Sequence, residues 1–246
     1  MPRFFVGTDP ISDKNIVITG TDVNHIRNVL RMAPGEEVTV SDGQGMDYFC
    51  KITELTKEEV RLDIIDSWHS FVELPAKIYL FQGLPKADKM ELIIQKAVEL
   101  GVYEIVPVAT KRAVVKLDAK KEEKKRLRWQ SIAESAAKQA GRALIPQVAP
   151  CMNFEKALRM CNGLDAALIP YEKAEGMQHA RDQVRALHGK HSIGIFIGPE
   201  GGFEESEIEA ARGAGAVPIT LGHRILRTET AGLTMLSILM FELEED

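Results

Sequence analysis

A chain of 246 residues is long enough for one large domain or two ordinary ones, and 45% hydrophobic with 27% charged residues supplies a sizeable core, which excludes disorder, collagen and coiled coil as overall classes. The formal charge of −5 is unevenly spread: residues 1–74 carry 7 Lys/Arg against 13 Asp/Glu, residues 111–142 carry 11 against 4, and the remainder 13 against 19. A local basic block in an acidic chain can hold phosphates by counterion release while the rest of the surface repels them; its alternative is a solvated helix face.

In chain order, the amino-terminal residues 1–7 have neither the apolar stretch nor the cleavage site of a secretory signal, so a cytoplasmic protein is expected. Short strands follow at Asn15–Thr19, Glu37–Ser41, Met46–Leu55 and residues 59–65, with Asp42-Gly43-Gln44-Gly45 as a hairpin turn. One helix interrupts them. Thr21 or Asp22 is its expected N-cap, His25, Arg27 and Arg31 share or flank an exposed face, and Pro34-Gly35 stops it. Residues 67–75 separate this strand-rich part from the rest, which gives domains of 1–72 and 73–246.

From Lys77 strands and helices alternate, the pattern of a mostly parallel sheet covered by helices. The expected strands are 78–82, 104–108, 166–170, 193–197 and 217–221. The expected helices are 88–100, closed by Gly101, a long basic one over 119–140, and 176–187, 204–213 and 229–243. The longest nearly apolar run, residues 231–241, contains Thr234 and Ser237 and falls short of the roughly 20 residues that span a bilayer, so no membrane partner is expected. Cys50, Cys151 and Cys161 fit neither a disulfide framework nor a zinc site and read as reduced thiols. His188 and His191 lack supporting ligands, and no metal is expected.

Gly198-Pro199-Glu200-Gly201-Gly202 lacks the Lys-Ser/Thr of a P-loop and the glycine spacing of a dinucleotide fold, which argues against a common nucleotide triphosphatase or dehydrogenase. Two unusual loops follow expected strands: residues 198–203, and the run from Gly222 to Ala231, with Thr228 or Thr230 as N-cap of the next helix. Ligands of open α/β sheets bind outside the carboxyl ends of strands, where both loops belong. Glycines allow close approach to the backbone of the first, and the second offers backbone donors and acceptors to a heterocycle. The alternative for Gly201-Gly202 is a strand-to-helix turn, and for Glu204-Glu205 a complement to the helix dipole.

Ile197-Gly198-Pro199-Glu200-Gly201-Gly202 together with Leu221-Gly222-His223-Arg224-Ile225-Leu226-Arg227-Thr228-Glu229-Thr230-Ala231 closely resembles the knotted SPOUT methyltransferases, and within them the bacterial small-subunit (16S) ribosomal RNA uracil-N3 methyltransferases. Further marks of that family are Arg3-Phe4-Phe5, the run from His25 to Arg31, Lys86, Lys89, the run from Lys96 to Val102, and Gln139-Ala140-Gly141-Arg142. The resemblance implies an α+β amino-terminal domain with a PUA-like β-barrel. It also implies an α/β carboxyl-terminal SPOUT domain threaded into a deep trefoil knot, a topology that connection rules alone would argue against. It implies a homodimer and S-adenosylmethionine as methyl donor. Carried over, Ile169, Pro170, Ile197, Gly198, Pro199, Glu200, Gly201, Leu221, Gly222, Ile225, Leu226, Arg227, Thr228, Thr230 and Ala231 would line the cofactor pocket. Met235, Ile238 and Leu239 of the last helix would pack in the core or at the dimer interface.

The implied reaction methylates N3 of a specific uridine in 16S rRNA of the assembled small subunit. The imide nitrogen must lose its proton, and the resulting anion is stabilised by a nearby cation. Arg112, Arg142 and Arg227 are the candidate cations and Glu229 the candidate proton acceptor, with phosphate positioning the alternative for Arg142 and helix capping for Glu229. Arg3, Arg27, Arg31, Lys86, Lys89, Lys111, Arg112 and Arg142 would hold RNA phosphates. Two other readings stay open: a SPOUT methyltransferase acting on transfer RNA, and a non-catalytic RNA-binding or ribosome-assembly factor.

Overall fold

The computed structural model describes residues 1–7, 9–115, 118–174 and 176–244, with the side chain of Ala119 excepted. The chain divides into two compact units: Met1–Glu73 with Ala137–Ile145, and Leu74–Ala136 with Pro146–Asp246. The first unit is thus discontinuous in sequence, and residues 137–145 return to it.

The first unit is built on a five-stranded sheet in the order β1-β3-β4-β5-β2, with β1 Arg3–Phe5, β2 Asn15–Thr19, β3 Glu37–Ser41, β4 Met46–Leu55 and β5 Glu59–His69. β1 lies parallel to β3 and the other pairings are antiparallel. Alternation along β2 and β3 puts Ile16, Ile18, Val38 and Val40 into one core with Cys50, Ile52, Val60 and Leu62. The expected turn is present, with Asp42 Oδ1 accepting from Gln44 N at 2.7 Å and Met46 N at 3.0 Å. The expected helix is shorter than its pattern: α1 spans Thr21–Asn24, and residues His25–Val29 form a wider turn in which Leu30 N donates to His25 O at 2.9 Å. Its N-cap is Gly20 at φ 75°, not Thr21 or Asp22, which already lie within the helix.

The second unit carries a seven-stranded, all-parallel sheet in the order β12-β10-β11-β6-β7-β8, with β9 also paired to β7. The strands are β6 Lys77–Gly83, β7 Glu104–Ala109, β8 Gln147–Val148, β9 Met152–Asn153, β10 Ala166–Pro170, β11 Ser192–Ile197 and β12 Ala216–Ile219. The last ends before the expected position 221, and Pro218 is tolerated there because β12 is an edge strand. The helices are α2 Lys89–Glu99, α3 Ala119–Gln139, α4 Phe154–Cys161, α5 Met177–Arg185, α6 Glu205–Gly213 and α7 Thr228–Leu243. Phe81, Val106, Phe154, Ile169, Phe196 and Phe203 form the centre of this unit's core, where the Phe81 and Phe196 rings stack 4.4 Å apart. Among the described residues no helix is long and apolar enough to cross a membrane.

Candidate functional site

Because the strands of the second unit are parallel, their carboxyl ends share one edge. From β6 the chain moves through β7 and β8 on one side, and the later strands β10, β11 and β12 fill the other, with β11 beside β6. That reversal makes the edge between β6 and β11 a topological switch point, where a crevice forms. Ile197 is level with Gln82, and the loops that follow meet at once: a Cβ at Gly83 would stand 2.7 Å from both Cδ and N of Pro199. Only a residue without a side chain lets the two backbones cross here.

A buried polar network locks the crossing. Gln82, fully buried at the end of an apolar strand, donates through Nε2 to Gly83 O and to Thr228 Oγ1, both at 2.9 Å. Thr228 Oγ1 in turn donates to Gly198 O at 2.6 Å. Thr228 is therefore neither a free surface hydroxyl nor the N-cap of α7. Arg227 is the cap position, Thr230 lies within the helix, and the Thr228 hydroxyl ties the helix start to the glycine loop. Gln82 carries no mark of this role in the sequence beyond being a lone amide at the carboxyl end of a hydrophobic strand, a pattern shared with solvent-facing glutamines.

Charged groups tighten the same edge. Lys89 Nζ lies 3.2 Å from Glu200 Oε1 and 3.2 Å from Glu229 Oε2, joining the start of α2, the glycine loop and the start of α7. The hydrogen bond to Glu200, then that to Glu229, raises the Lys89 pKa above its ordinary value. Burial works against the Glu200 carboxylate, but backbone amides, including that of Lys86, and the Lys89 ammonium outweigh it and hold its pKa below the usual range. Lys89 and Lys86, expected on RNA phosphates, thus sit against the loop, Lys86 through its backbone. Arg112 donates to Gly201 O at 3.1 Å. Lys111 is drawn to the start of α6, its N–H donating to the buried Glu207 at 3.0 Å and its ammonium to Ser206 Oγ at 2.9 Å.

The loop between β12 and α7 is open by contrast. Among the described residues, the backbone N–H and C=O groups of residues 223–226 have no hydrogen-bond partner. Gly222 adopts φ 106°, and Ile225 is 89% exposed. Unpaired main-chain groups beside an exposed aliphatic side chain suit a flat heterocycle that hydrogen-bonds along its edge and packs on its face. Pro170 and Ile219 are paired at the neighbouring strand ends, with Ile169 buried behind them. Arg227 is exposed and has no ion-pair partner among the described residues. The second unit therefore gathers Ile169, Pro170, residues 197–201 and residues 221–231 with Arg112, Lys86, Lys89 and Lys111 on one edge of its sheet.

Arg3, Arg27, Arg31 and Arg142 belong to the first unit. Arg27 and Arg31 are exposed, the latter at φ 55°. Arg3 pairs with the buried Asp47 at 3.1 Å and donates to Arg142 O at 3.3 Å. Arg142 is only 5% exposed; its guanidinium is engaged by Glu73, whose Oε1 also accepts from Ala143 N and Leu144 N. Among the described residues no cluster of metal ligands occurs.

A model of the RNA methyltransferase domain matches residues 72–240, and one of the RNA methyltransferase PUA domain matches residues 18–65. The ribosomal RNA small subunit methyltransferase E of Bacillus subtilis (strain 168) is 40% identical over 230 residues, covering 92% of this chain and 90% of that relative. The protein of the same name from Mesomycoplasma hyopneumoniae (strain 232) is 32% identical over 96% of this chain and 98% of that one. The chain belongs to the ribosomal RNA small subunit methyltransferase E family. A solved member from Neisseria gonorrhoeae, bound to S-adenosylmethionine, superposes with a TM-score of 0.82 at 33% identity, covering 98% of this chain and 97% of that one. A methyltransferase of Legionella pneumophila in complex with the same cofactor gives 0.81 at 32% identity, over 97% and 96% of the two chains. The PUA-like first unit and the parallel-sheet second unit are thus those of an RNA methyltransferase family.

Proposed function

We propose that the chain methylates N3 of one uridine in 16S rRNA, within the assembled small ribosomal subunit, as a cytoplasmic homodimer. The observation that carries the cofactor half is the meeting of the Gly198–Gly202 loop with the start of α7, beside an open 222–227 loop in which the main-chain groups of residues 223–226 have no partner among the described residues. S-adenosylmethionine, when bound, supplies an electrophilic methyl group on a sulfonium centre. Residues 197–201, 221–228, Thr230 and Ala231, with Ile169 and Pro170 at the adjoining strand end, would hold it. We further propose that the chain is knotted in the second unit, a reading supported by the crossing at Gly83, Pro199 and Thr228.

The chain's own contribution to the reaction is orientation and charge. Uracil N3–H is neutral and must lose its proton, leaving an anion spread over two carbonyl oxygens. Arg227, exposed and with no ion-pair partner among the described residues, and Arg112, held by Gly201 O, supply guanidinium groups on the same sheet edge to stabilise it. Glu229 is the proton acceptor in this reading, its carboxylate steadied by Lys89. Arg142 serves by fixing residues 137–145 to the PUA-like unit through Glu73. The target edge is the Watson–Crick edge, so the uracil enters unpaired.

The test is transfer of a labelled methyl group to small subunits that lack their native methylation, followed by mass mapping. A single N3-methyluridine is expected. Label on transfer RNA or on another atom overturns the substrate, and absence of any thermal stabilisation by S-adenosylhomocysteine points to a non-catalytic binding factor.

A further inference from the structure

The basic block counted in the sequence is only partly used by the contacts described above. Lys111 and Arg112 are held by α6 and Gly201, Lys138 pairs with Asp22 and Arg142 with Glu73. Along α3, Arg128 is paired with Glu91 and Lys121 with Asp118. Lys120, Lys124, Lys125 and Arg126 remain, with no ion-pair partner among the described residues; Lys125 Nζ stands 5.8 Å from the Trp129 ring centre, Arg126 lies on the other side of the helix, and Lys116 lies outside the described residues.

At 100° per residue, Lys120, Lys124, Arg128, Lys121 and Lys125 fall within a 140° arc of α3. The opposite side is anchored: Trp129 and Ala133 are buried, Glu122 Oε1 accepts from Cys151 N at 2.8 Å, and Gln130 bridges Pro146 O at 3.1 Å and Val148 N at 2.8 Å. This face breaks two local rules. Lys120 stands in the first helical turn, where the macrodipole disfavours a cation, and Lys120 with Lys124, Lys121 with Lys125 and Lys124 with Arg128 are like charges four residues apart. Asp118 and Glu91 answer Lys121 and Arg128, but the Lys120–Lys124 pair has no ion-pair partner among the described residues, and local conflicts left without compensation concentrate at functional surfaces. The chain outside this block is acidic in both directions, so polyanions are admitted here and repelled elsewhere.

We propose that the Lys120–Lys124–Lys125 face of α3 docks the phosphate backbone of the substrate RNA, and so sets the register in which the target base reaches the site. Eight residues separate Lys120 from Arg112, a reach of at most about 28 Å, so the face lies within one docking footprint of the sheet edge. The inference rests on the RNA methyltransferase reading above.

The test compares the full chain with a triple Lys→Gln variant at 120, 124 and 125 and with a triple Lys→Arg variant, on unmethylated small subunits across a salt series. The Gln variant is expected to raise KM about 10-fold or more at low salt and to reduce the salt slope by about 2 to 3. Its affinity for S-adenosylhomocysteine and its Tm are expected to be no lower than those of the parent, since like-charge repulsion is removed. The Arg variant keeps the charge and is expected to keep the parent KM. An unchanged KM and slope in the Gln variant overturns the inference. A higher KM with an unchanged slope overturns it too, by pointing to a protein contact instead of phosphates, and equal impairment of both variants makes the effect structural. A parent chain inactive on small subunits removes the enzymatic reading and this inference with it; an active parent with an unaffected Gln variant removes the inference alone.

Discussion

Thr228 makes two hydrogen bonds that a helix cap does not need, and both join elements distant in sequence. Thr228→Val keeps the shape and removes the hydroxyl, so one N–H of the buried Gln82 amide, which keeps its bond to Gly83 O, and the Gly198 carbonyl lose this partner, at about 1–3 kcal/mol for each stranded group. Thr228→Ser keeps the bonds. Denaturant unfolding is expected to show the loss for Val and to spare Ser, and calorimetry with S-adenosylhomocysteine is expected to weaken for Val alone. The motif around Thr228 was legible in the sequence, but its partner was not, because a glutamine at a strand end looks the same whether it faces water or a crossing loop. The cysteines follow their surroundings more simply. Burial pushes Cys50 up to about 12 and Cys161 to about 11, and burial, then the Glu122 charge, pushes Cys151 to about 11. An unfolded thiol ionises near pH 8.5, so the unfolded chain releases protons first as pH rises, and stability declines from about pH 9 toward 11 or 12. In native protein at pH 8 Cys50 and Cys161 are expected to resist alkylation and to label at the free-thiol rate only after denaturation, with the half-buried Cys151 between these limits; prompt labelling of native Cys50 would contradict its burial.

At the scale of elements, patterns that repeat were legible and features that depend on a single contact were not. β2, β3 and β4 follow from alternation, and α2 ends at its glycine as the C′ rule requires, with Gly101 at φ 86°. β1, β8 and β9 are two or three residues long and carry no period of their own. α4 had a readable signal: Asn153 caps it through Lys156 N at 2.9 Å, and Phe154, Ala157, Leu158 and Cys161 fall on one buried face. The α1 pattern misled because Gly20 and the wide turn at residues 25–29 set the backbone, leaving the apolar Val29 and Leu30 exposed. The crossing of β6 and the glycine loop is the element-level feature on which the site depends. Gly83→Ala would press a methyl group onto a proline ring and a backbone nitrogen, neither of which can rotate away. It is expected to cost about 1–3 kcal/mol and to weaken S-adenosylhomocysteine binding at the same time. Retention of full affinity with the parent Tm would show that the loops can part without consequence for the ligand.

At the scale of the molecule, the chain enters the first unit twice, so the sequence boundary near residue 73 does not separate independent segments. Residues 137–145 are bound there by the Arg142–Glu73 pair, by Ala143 and Leu144 amides on Glu73, and by Ile145 N on Gly43 O at 3.4 Å. Glu73→Ala removes the carboxylate that engages the Arg142 guanidinium and accepts from the Ala143 and Leu144 amides, and is expected to cost about 1–3 kcal/mol for each stranded amide, read as faster hydrogen exchange across 137–145. No charge or hydropathy count could have shown that return, since it is a matter of which strand end lies beside which loop. The last helix poses the opposite problem. α7 is apolar nearly all round: Met235 and Leu239 are fully buried, yet Ile238 is 38% and Phe241 84% exposed, and with Leu92 of α2 they line an open groove of about 660 Å³. The groove is also lined by Leu233 and rimmed by Thr230, Thr234, Ser237 and Glu242, and an exposed apolar strip with a polar rim is the make-up of an interface that a second copy of the chain can cover. The proposed homodimer therefore places this groove at its centre. Phe241→Glu with Ile238→Asp is expected to shift sedimentation from twice the chain mass to the single chain while leaving the far-ultraviolet circular dichroism unchanged. A parent chain that sediments as a monomer at micromolar concentration would exclude the homodimer, and a dimer that survives both substitutions would move its interface to another face.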